Sequence, residues 1–285
     1  MKFGSCSDVF RRSYPTADEA YARMNELGFS AADVSLADTA SPLYADAREM
    51  EKWCRTERES AERNGIKIFQ VHGPWPTDDT TEQSRAQVWE YMHRAVYGCH
   101  LLGAEYLVVH PQMPYGWGKE DDADFSEQLT SDLLRDLIPD CEKYGVTVCL
   151  ENMPMLAHRI SPIAKIAETV KKISSPHIGI CLDTGHSNVF GDDLGEAVRI
   201  SATWLKVLHV HDNNGKSDQH LLPWLGSCNW DSFTRALAEI GYNGALSLET
   251  AGPISSDMPV SVRQAAEMLT AETARYLAEA VEAHK

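Results

Sequence analysis

The sequence has no C-x-x-C pair, no apolar run near the roughly 18 residues of a membrane span, and few basic residues for its length. Its seven cysteines, Cys6, Cys54, Cys99, Cys141, Cys149, Cys181 and Cys228, are odd in number and scattered. That pattern argues against a disulfide framework and a thiolate zinc site, and leaves small buried hydrophobes in a reducing compartment. Met1 to Asp8 hold no apolar core of signal-peptide length, so the expected location is the cytoplasm, with no membrane partner. Lys and Arg total 26 against 42 Asp and Glu, a formal charge of −16. This balance repels phosphate backbones, and the only adjacent basic pairs are Arg11-Arg12 and Lys171-Lys172, so nucleic acid is disfavoured as a partner. A Gly-rich phosphate loop of the P-loop kind is missing, and Lys119, Arg159 and Lys216 in the later loops read as solvated surface groups.

Present throughout is an alternation of short apolar or β-branched runs with longer amphipathic stretches, the pattern of βα units around a parallel sheet. Strands are expected at Lys2 to Cys6, Ala32 to Ala37, Lys67 to His72, Tyr106 to His110, Thr147 to Glu151, Ile178 to Asp183, Leu205 to Val210 and Ala245 to Glu249. Helices are expected between them, with a last one from Val260 to Ala283. Eight strand-helix units define an α/β chain folded as a (β/α)8 TIM barrel, and no linker interrupts residues 1–285, so one domain is expected. The acidic run Lys119 to Asp124 reads as a solvated helix N-terminus, where carboxylates favour the helix dipole.

In such a barrel, chemistry sits at the C-terminal ends of the strands. Strand ends read Val71-His72, Val109-His110, Leu150-Glu151, Leu182-Asp183-Thr184-Gly185-His186, Leu208-His209-Val210-His211 and Leu248-Glu249, and the seventh loop adds Asp218-Gln219-His220. Six of the eleven histidines and four carboxylates thus gather on one rim. A glutamate after three apolar residues needs a cation or hydrogen bonds, because burying it unpaired costs several kcal/mol. Carboxylates with imidazole and no thiolate suit a divalent metal, Mn2+, Mg2+, Co2+ or Zn2+. A metal chelated by adjacent oxygens of a hydroxy-carbonyl sugar acidifies the neighbouring C–H and stabilises the enediolate. His93, His100, His158, His177 and His284 fall elsewhere and read as surface or packing residues, while Trp75, Trp117, Trp224 and Trp230 border post-strand loops.

The segments VHGPW, VVHP, LENM, CLDTGH, LHVHDN, DQHLLPWLG and LSLET follow one another in an order that resembles the xylose isomerase-like TIM barrel superfamily. That superfamily includes sugar phosphate isomerases and epimerases, ketose 3-epimerases, inosose dehydratase and endonuclease IV. The resemblance implies a four-ligand metal site at Glu151, Asp183, His209 and Glu249. His209 is preferred to His211 because the family pattern places an acidic residue three positions after the ligand, as Asp212 is here. It implies Glu151 and Glu249 as the acid/base pair. His72, His110, His186, Asp218 and His220 match positions that bind substrate in the sugar enzymes and additional zinc in endonuclease IV. The implied activity is metal-dependent isomerisation or epimerisation of a small-molecule sugar or sugar phosphate. The alternatives are an abasic-site DNA endonuclease with a multi-zinc site, a polyol dehydratase, and binding without turnover. Helix Val260 to Ala283 is long enough to cover a second copy in a homo-oligomer.

Overall fold

The computed structural model describes residues 1–77, 80–116, 122–250 and 254–285. Trp117, Lys119 and the rest of the acidic run up to Asp121 lie outside the described residues. The strands are β1 (Lys2–Cys6), β2 (Ala31–Ser35), β3 (Lys67–His72), β4 (Tyr106–Val109), β5 (Thr147–Glu151), β6 (Ile178–Asp183), β7 (Leu205–His209) and β8 (Ala245–Leu248). The helices are α1 (Ser7–Arg11), α2 (Ala17–Glu26), α3 (Pro42–Ala45), α4 (Ala47–Arg63), α5 (Glu82–Leu101), α6 (Ala123–Tyr144), α7 (Ile163–Ile173), α8 (Thr184–Phe190), α9 (Leu194–Ser201), α10 (Trp230–Glu239) and α11 (Val260–Ala283). The strands pair in parallel in the order β7-β6-β5-β4-β3-β2-β1-β8. Between β7 and β8 the Val210 N–H donates to the Ser247 carbonyl at 2.8 Å and the Glu249 N–H to the Val210 carbonyl at 3.1 Å, which closes the (β/α)8 barrel. Asp122 caps α6, its side chain accepting from the Phe125 N–H, as expected of the acidic run's end.

Strands covered on both faces read as continuous apolar runs; β6 is buried at all six positions. Inside the barrel, Ala31, Phe69, Val108, Cys149, Cys181, Val207 and Ala245 form an apolar plug beneath the rim. The barrel is therefore a packed core and not a pore. Cys149 and Cys181 fill part of that plug, and all seven cysteines are free thiols. In β3 the register slips, since Ala32 pairs with Ile68 but Asp33 with Gln70. A bulge re-aims the side chains after it; here Phe69 enters the plug while Gln70 and His72 reach the polar layer above.

The last helix is fastened by a buried acid. Glu267 of α11 is fully buried and accepts from Arg23 Nε at 2.7 Å and from the Tyr14 hydroxyl at 3.1 Å. Removing one partner of a buried ion pair leaves the other uncompensated, so Glu267→Ala is expected to destabilise the fold by about 3–5 kcal/mol. Urea unfolding of the metal-free chain measures this, and a loss under about 1 kcal/mol, the ceiling for an exposed pair, contradicts it. No helix among the described residues is long and apolar enough to cross a membrane.

Candidate active site

The mouth of the barrel collects the polar residues that the strands deliver. Glu151 and Asp183 end β5 and β6, His209 ends β7, and Glu249 follows β8 by one residue. One donor atom from each of these four lies within 4.8 Å of all the others. His209 Nδ1 is 2.9 Å from Glu151 Oε1 and 2.9 Å from Glu249 Oε2. His110 Nε2 lies 3.0 Å from Glu151 Oε2. Yet Glu249 Oε2 and Glu151 Oε2, both buried, receive no hydrogen bond. His209 Nδ1 aligns with Glu151 Oε1 alone, and the two Oε2 atoms meet ring nitrogens without donor alignment. Buried acceptors left in that state are costly, and a divalent cation among them satisfies the oxygens and the imidazole lone pair together. The donor set of three carboxylates and one imidazole fits such an ion.

Two further groups flank this one. His72, His110 and Glu151 form the first, and His186, His211, Asp218 and His220 the second. In the second, His220 Nε2 is 3.0 Å and His186 Nε2 3.4 Å from Asp218 Oδ2. Backbone carbonyls fix the ring orientations: the Nδ1–H groups of His72, His186 and His220 donate to the carbonyls of Gly73, Asn152 and Glu249 at 2.8–3.0 Å. A carbonyl only accepts, so each Nδ1 keeps its hydrogen and each Nε2 is turned toward the rim, the arrangement typical of metal-ligating histidines. All nine residues expected from sequence are thus brought to one rim.

Two residues there have no role assigned from sequence, although His211 is placed on the rim. His211 lies 2.9 Å through Nε2 from Asp183 Oδ2 and stacks on His220 at 4.0 Å. Gly185 makes room for it, because a Cβ there sits 2.0 Å from His211 Cε1. Asp33 of β2 is buried beneath His209 and accepts from its Nε2–H at 3.0 Å. Asp183 also caps α8, its Oδ1 accepting the His186 N–H at 2.7 Å, so one carboxylate starts a helix and faces the site. Asp212 pins the loop that carries Asp218 and His220 by accepting from the Trp224 and Cys228 N–H groups and from Trp230 Nε1.

Electrostatics couple the groups. Burial opposes ionisation of Glu151, but the His209 imidazole, with His110, holds its carboxyl well below the usual range, and His209 lowers Glu249 in the same way. Burial opposes charging His186, which the carboxylates of Asp183, Asp218 and Glu151 nevertheless push up to about 10. His220 rises to about 9 against burial, through Asp218 and Glu249. His110 goes the other way, lowered by burial despite Glu151. A raised folded-state imidazole stabilises the metal-free chain fully below the unfolded value of about 6.5. That contribution fades as pH climbs through about 9 to 10. A metal in the four-donor cluster must displace the proton of His209, whose ring the surrounding acids hold well above its ordinary value against burial, so its affinity rises with pH. The gap in melting temperature between Mn2+-loaded and metal-free protein is therefore expected to widen as pH rises above about 6.5. Paired thermal scans decide it, and a narrowing gap contradicts the account.

A cavity of about 270 Å³ opens over the rim, lined by Cys6, Asp8, Arg12, Asp33, His72, His220 and Glu249 among others. A larger groove of about 480 Å³ lies outside the barrel against α10 and α11, lined by Trp224, Trp230 and Tyr276, and holds none of the rim residues. The two tryptophans therefore pack away from the site. His93 pairs with Asp136 and Asp140 between outer helices, while His100, His158 and His177 bond the backbone carbonyls of Tyr144, Gly116 and Val146.

Fold and rim together define the class: a TIM barrel with a carboxylate and imidazole cluster at its C-terminal mouth. The chain belongs to the xylose isomerase-like TIM barrel family, whose model matches residues 21–279. It is 27% identical over 237 residues to the D-psicose 3-epimerase of Ruminiclostridium cellulolyticum, covering 80% of this chain and 75% of that protein. A D-tagatose 3-epimerase-like protein superposes with a TM-score of 0.75 at 26% identity, over 99% of this chain and all of the other. The IolI protein with a bound zinc atom shares the fold at 17% identity and a TM-score of 0.75, over 100% of this chain and 99% of that one.

Proposed function

We propose that this chain is a divalent-metal-dependent sugar or sugar-phosphate isomerase or epimerase that moves a proton at carbon with Glu151 and Glu249. The observation that carries the reading is the pair of glutamates converging on His209 Nδ1, each with a buried oxygen that no donor satisfies. Glu151, Asp183, His209 and Glu249 would hold Mn2+, Mg2+, Co2+ or Zn2+. When bound, such an ion supplies Lewis-acid stabilisation of negative charge developing on a sugar oxygen. One glutamate, kept ionised beside His209, accepts the proton from the carbon next to the carbonyl; the other returns one. Return to the same carbon from the opposite face epimerises, and return to its neighbour isomerises. Burial keeps water from competing. His72, His110, His186, Asp218 and His220 orient the hydroxyls or take further metal. The likeness to named sugar 3-epimerases supports a small-molecule sugar as partner, with the chain working in the cytoplasm as one domain.

The test is a screen of ketoses, polyols and their phosphates in deuterated buffer with Mn2+, read by NMR for deuterium at carbon and for new isomers. Deuterium without a new sugar, or neither with any compound, removes the assignment. A second reading is abasic-site phosphodiester hydrolysis, favoured by the three donor groups sharing one rim. It requires about three metals per chain and nicking of abasic duplex, against a charge of −16.

A further inference from the structure

We infer that Asp33 is the positioning residue that presents His209 Nδ1 to the metal. The inference rests on the proposed four-donor site and adds a residue outside it. Asp33 is buried on β2, and among the described residues neither lysine nor arginine lies within ion-pair distance of it. Its Oδ1 has no hydrogen-bond partner, while Oδ2 accepts from Gln70 Nε2 at 2.9 Å and from His209 Nε2 at 3.0 Å. The Gln70 amide nitrogen can only donate, so Oδ2 is an acceptor there, and the proton it shares with His209 sits on Nε2. An imidazole that ligates a metal is neutral and carries one N–H, and with that N–H held on Nε2 by Asp33 the Nδ1 lone pair faces Glu151 and Glu249.

Two further contacts keep the ring there. Gln70 Nε2 also reaches the carbonyl of Leu208, the residue before His209, at 3.3 Å, so it ties Asp33 to the same strand. The His72 ring stacks nearly parallel to the His209 ring, 5.6 Å away and 7° apart. Whereas the backing hydrogen bonds of His72, His186 and His220 run to neutral carbonyls, that of His209 runs to a carboxylate. A carboxylate partner makes the ligating nitrogen more basic, and loss of such outer-shell support weakens metal binding about 10–100-fold.

The experiment measures Mn2+ dissociation constants of the full-length metal-free chain by electron paramagnetic resonance, with circular dichroism as the folding check. Asp33→Leu is expected to weaken binding about 10–100-fold, and Asp33→Asn, which keeps an acceptor but no charge, by less. In a His209→Ala background, Asp33→Leu should change the constant by less than about twofold, because its effect passes through the ring. A folded Asp33→Leu protein that binds Mn2+ like the unsubstituted chain overturns the inference, as does a weakening undiminished in the His209→Ala background. Should Asp33→Leu fail to fold, unchanged affinity in Asp33→Asn overturns it equally. An unsubstituted chain that binds no Mn2+ defeats the four-donor reading itself, and the inference with it.

Discussion

Glu151→Gln and Glu249→Gln are each expected to lower deuterium exchange into the sugar by at least about 10³-fold. Positioned proton transfer alone contributes typically 10²–10⁴-fold, and each glutamate also carries a share of the metal charge. Glutamine keeps the length and a coordinating oxygen but accepts no proton. The two roles separate in the measurement: a variant that retains its metal and binds the sugar, yet exchanges nothing, has lost the acid/base group. Glu249, with a side chain 20% exposed and open to the cavity, is the variant expected to keep the larger share of metal. Glu151 touches two donor groups at once, so its glutamine variant is expected to lose metal as well as turnover. Unchanged exchange in either variant removes the assigned role.

Stripping the metal with a chelator is expected to abolish exchange and to lower the melting temperature by roughly 5–10 °C. A ligand present at a hundred times its dissociation constant stabilises by about 2.7 kcal/mol, and each kcal/mol moves a domain near this size by roughly 2–4 °C. The cause lies in the cluster itself. Bare, it keeps Glu151, Asp183 and Glu249 crowded around one imidazole, with two buried oxygens unsatisfied. Re-addition of Mn2+ should restore both properties together. Full exchange in a chain shown by elemental analysis to be metal-free contradicts the mechanism.

The strands were legible in the sequence because parallel strands are buried on both faces and end on polar residues: VCLE, ICLD and LSLE announce the rim as well as the barrel. The short helix α8 was not, since seven residues starting Thr-Gly-His carry no amphipathic period and begin directly at Asp183. Short α1 escaped for the same reason. His209, preferred to His211 in the sequence, is the ring that lies between the glutamates, while the place of His211 depends on space left by Gly185 across the loop. Asp33 sits inside AADVS, an ordinary strand pattern. A single buried acid in a strand gives no local sign of its partner 176 residues away. The β3 bulge that turns Gln70 toward Asp33 is equally silent, because it shows only in the pairing register.

The central claim is that one metal in the four-donor cluster enables proton transfer at carbon. Its most direct test titrates the metal-free chain with Mn2+ and follows deuterium entering the carbon next to the carbonyl of a bound ketose. The account predicts exchange that rises with occupancy and reaches its maximum at one Mn2+ per chain, ahead of any filling of the flanking histidine groups. A folded chain that binds both metal and sugar, yet incorporates no deuterium at any occupancy, contradicts it.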